Sequence, residues 1–251
     1  MPLPQYLCGL NFSVLSTKAL LAIAVAVLIP LASYLVVNKF THDNSFLPRR
    51  YHYDTVVTTV KDGIQVSDTV WHSVKNIQLE NQLGKKVSLS DVSGKILVVD
   101  FFFTHCGSIC PKLTANMKKL QQVIKLQDKR SLVDTPFVQF LSFTVDPERD
   151  SVSVLKKYAD KYGVNHDTWW MLTGDRHVIY DFGMNEVKLG VPDSSSVDTN
   201  FIHSEYFVLL DRDRIVRGYY NGTDLASLSR LSEDIVFLML ERDKKKKRKL
   251  F

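Results

Sequence analysis

Residues 96–103 form an almost continuous apolar run, ILVVDFFF, near the middle of the chain. A short run rich in Val and Phe is typical of a strand buried on both faces of a sheet. The segment that follows, residues 104–111, is THCGSICP. An amphipathic helix is predicted after it, with one apolar face formed by Leu113, Met117, Leu120 and Ile124. The sequence therefore predicts a central strand, a cysteine-containing turn and a helix in direct succession.

Strand and helix patterns alternate through the rest of the chain. A hairpin is predicted around residues 77–89, a second buried strand at 137–145, a helix at 151–162 and a short strand at 169–172. A short helix to about Phe182, a hairpin at 207–220 and a last helix carrying Leu228, Leu231, Ile235 and Leu238 complete the pattern. This order predicts an α/β fold, a thioredoxin-like sandwich with a mixed central sheet and flanking helices.

Residues 19–37 carry no charge and lie between Lys18 and Lys39. As a helix they would extend about 28 Å, close to the ~30 Å hydrocarbon core of a bilayer, which predicts one transmembrane helix. A buried core helix would need a polar face, and a cleaved signal peptide would have a shorter apolar region of about 7–15 residues. The predicted organisation is an N-terminal segment (1–18), the anchor (19–37), a polar spacer with one strand around 53–60 (38–70), a globular domain (71–240) and a basic tail (241–251).

The composition excludes several classes of protein. Apolar residues make up 45% and charged residues 24%, which argues against wholesale disorder, and three cysteines are too few for a disulfide scaffold. The run Lys244–Lys249 contributes six positive charges, so the net charge of +5 falls to −1 without it. A nucleic-acid partner is therefore not expected, and the tail is interpreted as a solvated, disordered segment that touches anionic lipid.

Cys106 and Cys110 lie between the predicted central strand and the start of a helix. Unpaired N–H groups at a helix start favour thiolate over thiol, and thiolate is both the nucleophile and the metal ligand. Two adjacent thiolates repel each other, and either a bound cation or a disulfide relieves the repulsion. Gly107 and Ser108 favour a loop over two cysteines packed in a core, and Cys8, before the anchor, is interpreted as a bystander.

The chain contains seven histidines, any of which could supply a third ligand to a metal ion held by the two cysteines. His203 precedes the predicted strand at 207–210, in a loop that a thioredoxin-like sheet brings beside the cysteines. Two thiolates and one imidazole suit a soft metal, and copper as Cu(I) or Cu(II) fits better than zinc, which normally takes four ligands. A lone histidine in a loop is usually a solvated side chain, so the spacing alone leaves His203 as a candidate third ligand beside Cys106 and Cys110 for one copper per chain.

Four segments together resemble the Sco/SenC family: residues 99–111, 144–150, 172–174 and the His203-Ser204 pair. The likeness runs in register from about Ile77 to Met239. Family members are membrane-anchored, thioredoxin-like copper proteins, so the resemblance implies copper ligands at Cys106, Cys110 and His203. It also implies delivery of copper to the binuclear site of cytochrome c oxidase subunit II or to another copper-site protein, or maintenance of that site's thiols. Gly107 departs from the proline that the family commonly has, which predicts a more flexible loop.

Three further residues, His105, Asp146 and Asp150, are candidates for a position beside the copper ligands. For Asp146 and Asp150 the favoured interpretation is structural, with a turn fixed by Pro147 and with Asp150 as a cap of the helix from Ser151.

The resemblance implies that the domain lies outside the cytoplasm, in a bacterial periplasm or alternatively a mitochondrial intermembrane space. The flanking charges, one or two more downstream than upstream, favour the opposite orientation. Two other functions stay open: a thiol–disulfide oxidoreductase with Cys106 and Cys110 as catalytic residues, and a copper or redox sensor. Unless the oxidoreductase is correct, no enzymatic activity is expected, and no small-molecule substrate is expected.

Overall fold

The computed structural model describes residues 17–43, 47–61, 64–128, 137–189 and 204–248, and the chain divides into two compact units, Met1–Phe46 and Leu47–Phe251. The first unit contains helix α1, Thr17–Asp43. Over the described residues, no helix proves long and apolar enough to span a bilayer. The transmembrane helix expected at residues 19–37 therefore stays a prediction.

The second unit begins with a hairpin of two strands and continues as an α/β domain. The hairpin pairs β1 (Tyr53–Lys61) with β2 (Ile64–Trp71). The strands that follow are β3 (Gln78–Asn81), β4 (Lys86–Ser88), β5 (Ile96–Phe102), β6 (Val138–Thr144), β7 (Trp169–Thr173), β8 (Tyr206–Leu210) and β9 (Val216–Asn221). The helices are α2 (Ile109–Asp128), α3 (Val152–Lys161), α4 (Arg176–Asp181) and α5 (Leu225–Arg248), and a π-helical turn, Phe182–Glu186, follows α4.

Seven strands form one mixed sheet in the order β4-β3-β7-β6-β5-β8-β9. The central pairs β5–β6 and β6–β7 are parallel, and β8 runs antiparallel to β5. Helices α2, α3 and α5 pack on one face through side chains such as Met117, Leu155 and Ile235, and α4 packs on the other through Ile179. Strands β5 and β6 are buried along their whole lengths, as expected for strands covered on both faces. The predicted α/β fold with a mixed sheet and flanking helices is thus confirmed.

Two segments differ from the sequence-based predictions. Residues 38–70, predicted as a spacer with one strand, contain β1 and also most of β2. The basic tail was expected to be disordered, but α5 continues as a helix as far as Arg248. Lysine and arginine are good helix formers, so a helix whose first turns are packed on the sheet can extend through them.

Candidate metal centre

The candidate site lies at the edge of the sheet where β5 and β6 end. These strands are parallel and in register, with Phe102 opposite Thr144, so the segments that follow them leave the sheet side by side. Strand β8 is antiparallel to β5, so its first residues lie at this same edge, and Ser204 lies two residues before it. Three separate segments of the chain therefore meet at one edge of the sheet.

Cys106 lies in the turn between β5 and α2, and Cys110 lies in the first turn of α2. The N–H of Cys106 donates to the carbonyl of Phe103 (3.3 Å), and the N–H of Cys110 donates to Sγ of Cys106 (3.4 Å). Both cysteines are free thiols. Cys106 is half-buried and Cys110 is only 3% exposed, so one sulfur is accessible while the other packs against the core beneath it.

The two thiols differ in acidity because they differ in surroundings. Burial alone would raise the pKa of Cys106, but backbone N–H groups of Cys110 and Ser108 point at its sulfur and lower the pKa to about 7. Burial raises the pKa of Cys110 to about 12, and the neighbouring Cys106 adds to that increase. At neutral pH Cys106 is thus partly ionised, as predicted from its position at the helix start, whereas Cys110 stays protonated, so the expectation of a second thiolate is wrong for Cys110.

Asp150 supports the turn that carries Cys106. Its carboxylate accepts from the N–H of Thr104 (3.0 Å), from the Thr104 hydroxyl (2.5 Å) and from the Thr144 hydroxyl (2.5 Å). The side chain is fully buried. The helix cap proposed for Asp150 is wrong, because the residue before α3 is Ser151 and no side chain caps that helix. The acid instead joins the end of β5 to the end of β6.

The other candidate residues have distinct positions. His105 is mostly exposed, with Nδ1 at 3.1 Å from the Thr104 hydroxyl and 3.7 Å from the Asp150 carboxylate. The backbone carbonyl of Asp146 accepts a hydrogen bond from the N–H of Asp150 (2.9 Å), and the Asp146 side chain pairs with that of Arg149 (2.7 Å). These contacts confirm the predicted turn. His203 and Cys8 lie outside the described residues.

A buried acid beneath the cysteines was not identified from the sequence. Asp100 in β5 is 2% exposed, and it accepts a hydrogen bond from the hydroxyl of Ser142, which in turn accepts one from the Trp169 indole (2.8 Å). Burial raises the pKa of Asp100 to about 7. Asp100 is the one polar residue within the apolar run at 96–103, and this position could have identified it from the sequence. A carboxyl group in a strand that is buried on both faces needs a hydrogen-bond partner.

The donor set of the described residues is two thiols. Over these residues, no three His, Cys, Asp or Glu side chains converge as a metal site. Two sulfurs, one of them partly ionised at neutral pH, suit a soft cation that accepts low coordination. The described part of the site therefore fits Cu(I) in the chemistry of its ligands.

Comparison with protein families assigns the domain. The SCO1/SenC family model matches residues 71–239. The chain belongs to the SCO1/SenC family. Within that family it is similar to the SCO1 protein homologue of Bacillus subtilis, with 34% identity over 174 residues that cover 69% of this chain and 86% of the relative. It spans only 50% and 58% of two vertebrate mitochondrial relatives.

Solved structures agree with the assignment to the SCO1/SenC family. A SCO1/SenC family lipoprotein from Bacillus anthracis is 32% identical, with a TM-score of 0.56, over 67% of this chain and 95% of that one. BsSco, described as a member of the Sco family of cytochrome c oxidase assembly proteins, is 32% identical with a TM-score of 0.55, over 68% and 95% of the two chains. The thioredoxin-like architecture is therefore that of SCO1/SenC proteins.

Proposed function

We propose that this chain is a copper-binding protein of cytochrome c oxidase assembly, which delivers copper to the binuclear site of subunit II or keeps the thiols of that site reduced. The observation that carries the proposal is the pair formed by Cys106 and Cys110 at the sheet edge. The pair belongs to a domain of the SCO1/SenC family, and the related BsSco is described as a member of a family of cytochrome c oxidase assembly proteins.

The acidity of the two thiols supports copper as the cargo. Cys106 offers an accessible thiolate at neutral pH, and Cys110 lies next to it in the first turn of α2. Copper as Cu(I) accepts two sulfur ligands and prefers thiolate, whereas a structural zinc ion would require two further ligands. An accessible first sulfur suits a cargo that must be passed to another protein.

We propose His203 as the third ligand. Ser204, its neighbour in sequence, lies at the same sheet edge as the cysteine turn, and consecutive Cα atoms are about 3.8 Å apart. Imidazole is a good ligand for Cu(II), so His203 would stabilise the oxidised ion more than Cu(I). His105, Asp146 and Asp150 are proposed to support the ligands from beside them.

The proposal predicts the copper content of the full-length protein in each redox state. With Cys106 and Cys110 reduced, we expect one copper per chain. After oxidation to a disulfide, verified by mass spectrometry, we expect none, because the same two sulfurs cannot serve both states. Cys8→Ser is the matched control and should retain one copper, whereas Cys106→Ser should lose it.

Copper retained after verified oxidation would refute this ligand set. His203→Ala tests the third ligand separately, since Cu(I) binding to two sulfurs should weaken only modestly while the Cu(II)–thiolate charge-transfer absorption disappears. Cells that carry only this variant should show low cytochrome c oxidase activity. An unchanged Cu(II) spectrum together with normal activity would remove His203 from the site.

A thiol–disulfide oxidoreductase is the second candidate function, and the unequal acidity of the two cysteines favours it. In such a reaction the Cys106 thiolate attacks a disulfide of a partner protein and releases one partner thiolate. Cys110 loses its proton and attacks the mixed disulfide, which leaves the partner as a dithiol and this chain as a disulfide. Under this alternative, His203→Ala would leave copper loading of the oxidase intact when a reductant is supplied.

We propose that residues 19–37 attach the protein to a membrane with the domain outside the cytoplasm. Apolar side chains of α1, such as Leu21, Ile29 and Leu35, are more than half exposed, and a continuous exposed apolar surface normally meets an apolar phase. The protein should remain in membranes after alkaline carbonate washing, and an export-dependent reporter fused after Phe251 should be active. Release by carbonate, or activity of a cytoplasmic reporter only, would contradict this proposal.

A further inference from the structure

The positive charge of the chain is concentrated at the end of α5. The run at 244–249 supplies six positive charges to a protein whose other residues sum to −1. Helix α5 extends through this run to Arg248. Neither copper binding nor thiol exchange at the cysteine pair makes use of this positive charge at the end of α5.

The helix also presents apolar side chains to solvent just before the basic run. Leu231, Ile235 and Leu238 are buried against the sheet, whereas Phe237 and Leu240 are 37% and 53% exposed. At 100° per residue, positions 244 and 247 fall on the same face as Phe237 and Leu240. The six consecutive basic residues cover every side of the helix, so part of the positive charge lies on the side of Phe237 and Leu240 and can meet the same lipid surface as these two side chains.

Contacts of Arg217 place this part of α5 beside the N-terminal end of the domain. The buried guanidinium donates to the carbonyl of Pro48 (2.9 and 2.6 Å) and to Asp211 (2.8 Å), and it lies 3.8 Å from the carboxylate of Glu241. Lys244 follows Glu241 by less than one helical turn. The basic run therefore begins next to the point where the chain arrives from the predicted anchor.

Chain length limits how far that point can be from a membrane. Ten residues separate Pro48 from Val37, the last residue of the uncharged run, and α1 continues as a helix to Asp43, so the chain between them can span at most about 27 Å. Basic residues are attracted to anionic lipid within about a Debye length of the surface.

We propose that the C-terminal end of α5, from Phe237 through the basic run, binds the anionic lipid surface of the membrane and so holds the domain in one orientation. The inference rests on the proposed membrane attachment of residues 19–37. Anionic phospholipid is the occupant because its charge complements the run and its interface accommodates Phe237 and Leu240.

The test measures the reactivity of individual lysines in full-length protein reconstituted into vesicles. A membrane-impermeant acetylating reagent is applied to vesicles of phosphatidylcholine alone and to vesicles that also contain phosphatidylglycerol, and labelling is read by mass spectrometry. We expect labelling of the basic run to fall about five-fold with the anionic lipid and to recover in high salt. Labelling of Lys85 and Lys86, both exposed in the domain, should stay constant and corrects for inward-facing copies.

Two matched variants show whether the protection depends on the basic run itself or only on the net charge of the protein. Replacing Lys244, Lys245, Lys246 and Lys247 with glutamine should abolish the protection of Lys249, whereas replacing four exposed lysines of the domain, Lys112, Lys119, Lys157 and Lys161, should preserve it. Equal labelling in both lipids, or protection that ignores headgroup charge, would overturn the proposal and favour an acidic protein partner instead. Carbonate washing of the same vesicles reports on the anchor independently.

Discussion

Asp150→Ala is expected to lower the free energy of unfolding by about 2–3 kcal/mol, because it removes the acceptor of one buried and two half-buried donors. The donors are the N–H and hydroxyl of Thr104 and the hydroxyl of Thr144. Chemical denaturation followed by tryptophan fluorescence measures the change, since Trp169 is fully buried in the core.

A second measurement separates loss of support for the cysteine turn from general instability. Iodoacetamide labelling of Cys106 in the parent should have its midpoint near pH 7, the pKa of that thiol, while Cys110 should react slowly. In Asp150→Ala the turn from Thr104 is no longer tied to β6, so the N–H groups at the start of α2 should act less on Cys106. The labelling midpoint should rise towards the ordinary thiol value of about 8.5.

Asp175→Ala is the matched control. Asp175 is an exposed aspartate that caps α4 by accepting from the N–H groups of His177 and Val178. Its removal should cost about 1 kcal/mol and should leave the labelling midpoint of Cys106 unchanged. If Asp150→Ala behaved like this control in both measurements, the link between β5 and β6 through Asp150 would be of no consequence for the site.

The sequence was sufficient for the elements whose signal is local. The apolar run at 96–103 identified β5, because a strand buried on both faces is apolar along its length. The spacing of Leu113, Met117 and Leu120 identified α2, because a helix buried on one side repeats its apolar residues every three or four positions. Strand β2 was missed although Ile64, Val66 and Val70 alternate with polar residues, because Asp68 interrupts the alternation. Val66 and Val70 are exposed, as are Val56 and Val57 of β1, so the ribbon has no buried face that would require a longer apolar pattern.

The part of the site that the sequence did not predict depends on contacts between distant segments. From its neighbours in sequence, Asp150 resembles a helix cap. Its carboxylate instead accepts hydrogen bonds from Thr104, which lies 46 residues earlier in the chain. Only the parallel pairing of β5 with β6 brings the two together. Cys106 and Cys110 were predictable because their chemistry depends on one strand and one helix start that adjoin in sequence.

Asp100→Asn is expected to stabilise the protein at high pH and to have little effect at low pH. Burial raises the pKa of Asp100 to about 7, against an unfolded value of about 3.9. Between these two values the folded state holds a proton that the unfolded state has released. Stability contributed by the neutral acid is therefore fully present below about pH 4, is lost as the pH rises towards 7, and stays absent above it.

The size of the effect follows from the pKa difference. A shift of about three units corresponds to about 4 kcal/mol as an upper limit, since each unit is worth about 1.4 kcal/mol. Asparagine cannot ionise, and its amide oxygen can still accept from the Ser142 hydroxyl, which Asp100 binds in the parent. The difference in unfolding free energy between variant and parent should thus grow from pH 4 to pH 7 and then level off.

Asp160→Asn is the control for this pH series, because Asp160 lies on the surface of α3 and pairs with Lys156. Its folded pKa is lowered, chiefly by that lysine, so its small contribution to stability is present at neutral pH and lost in acid, opposite in sign to that of Asp100. Asp100→Asn should also speed labelling of Cys110, whose pKa is raised in part by the charge of Asp100. Parallel stability curves for parent and Asp100→Asn from pH 4 to pH 8 would mean that Asp100 keeps an ordinary pKa within the core, and the expected loss of stability between pH 4 and pH 7 would then be refuted.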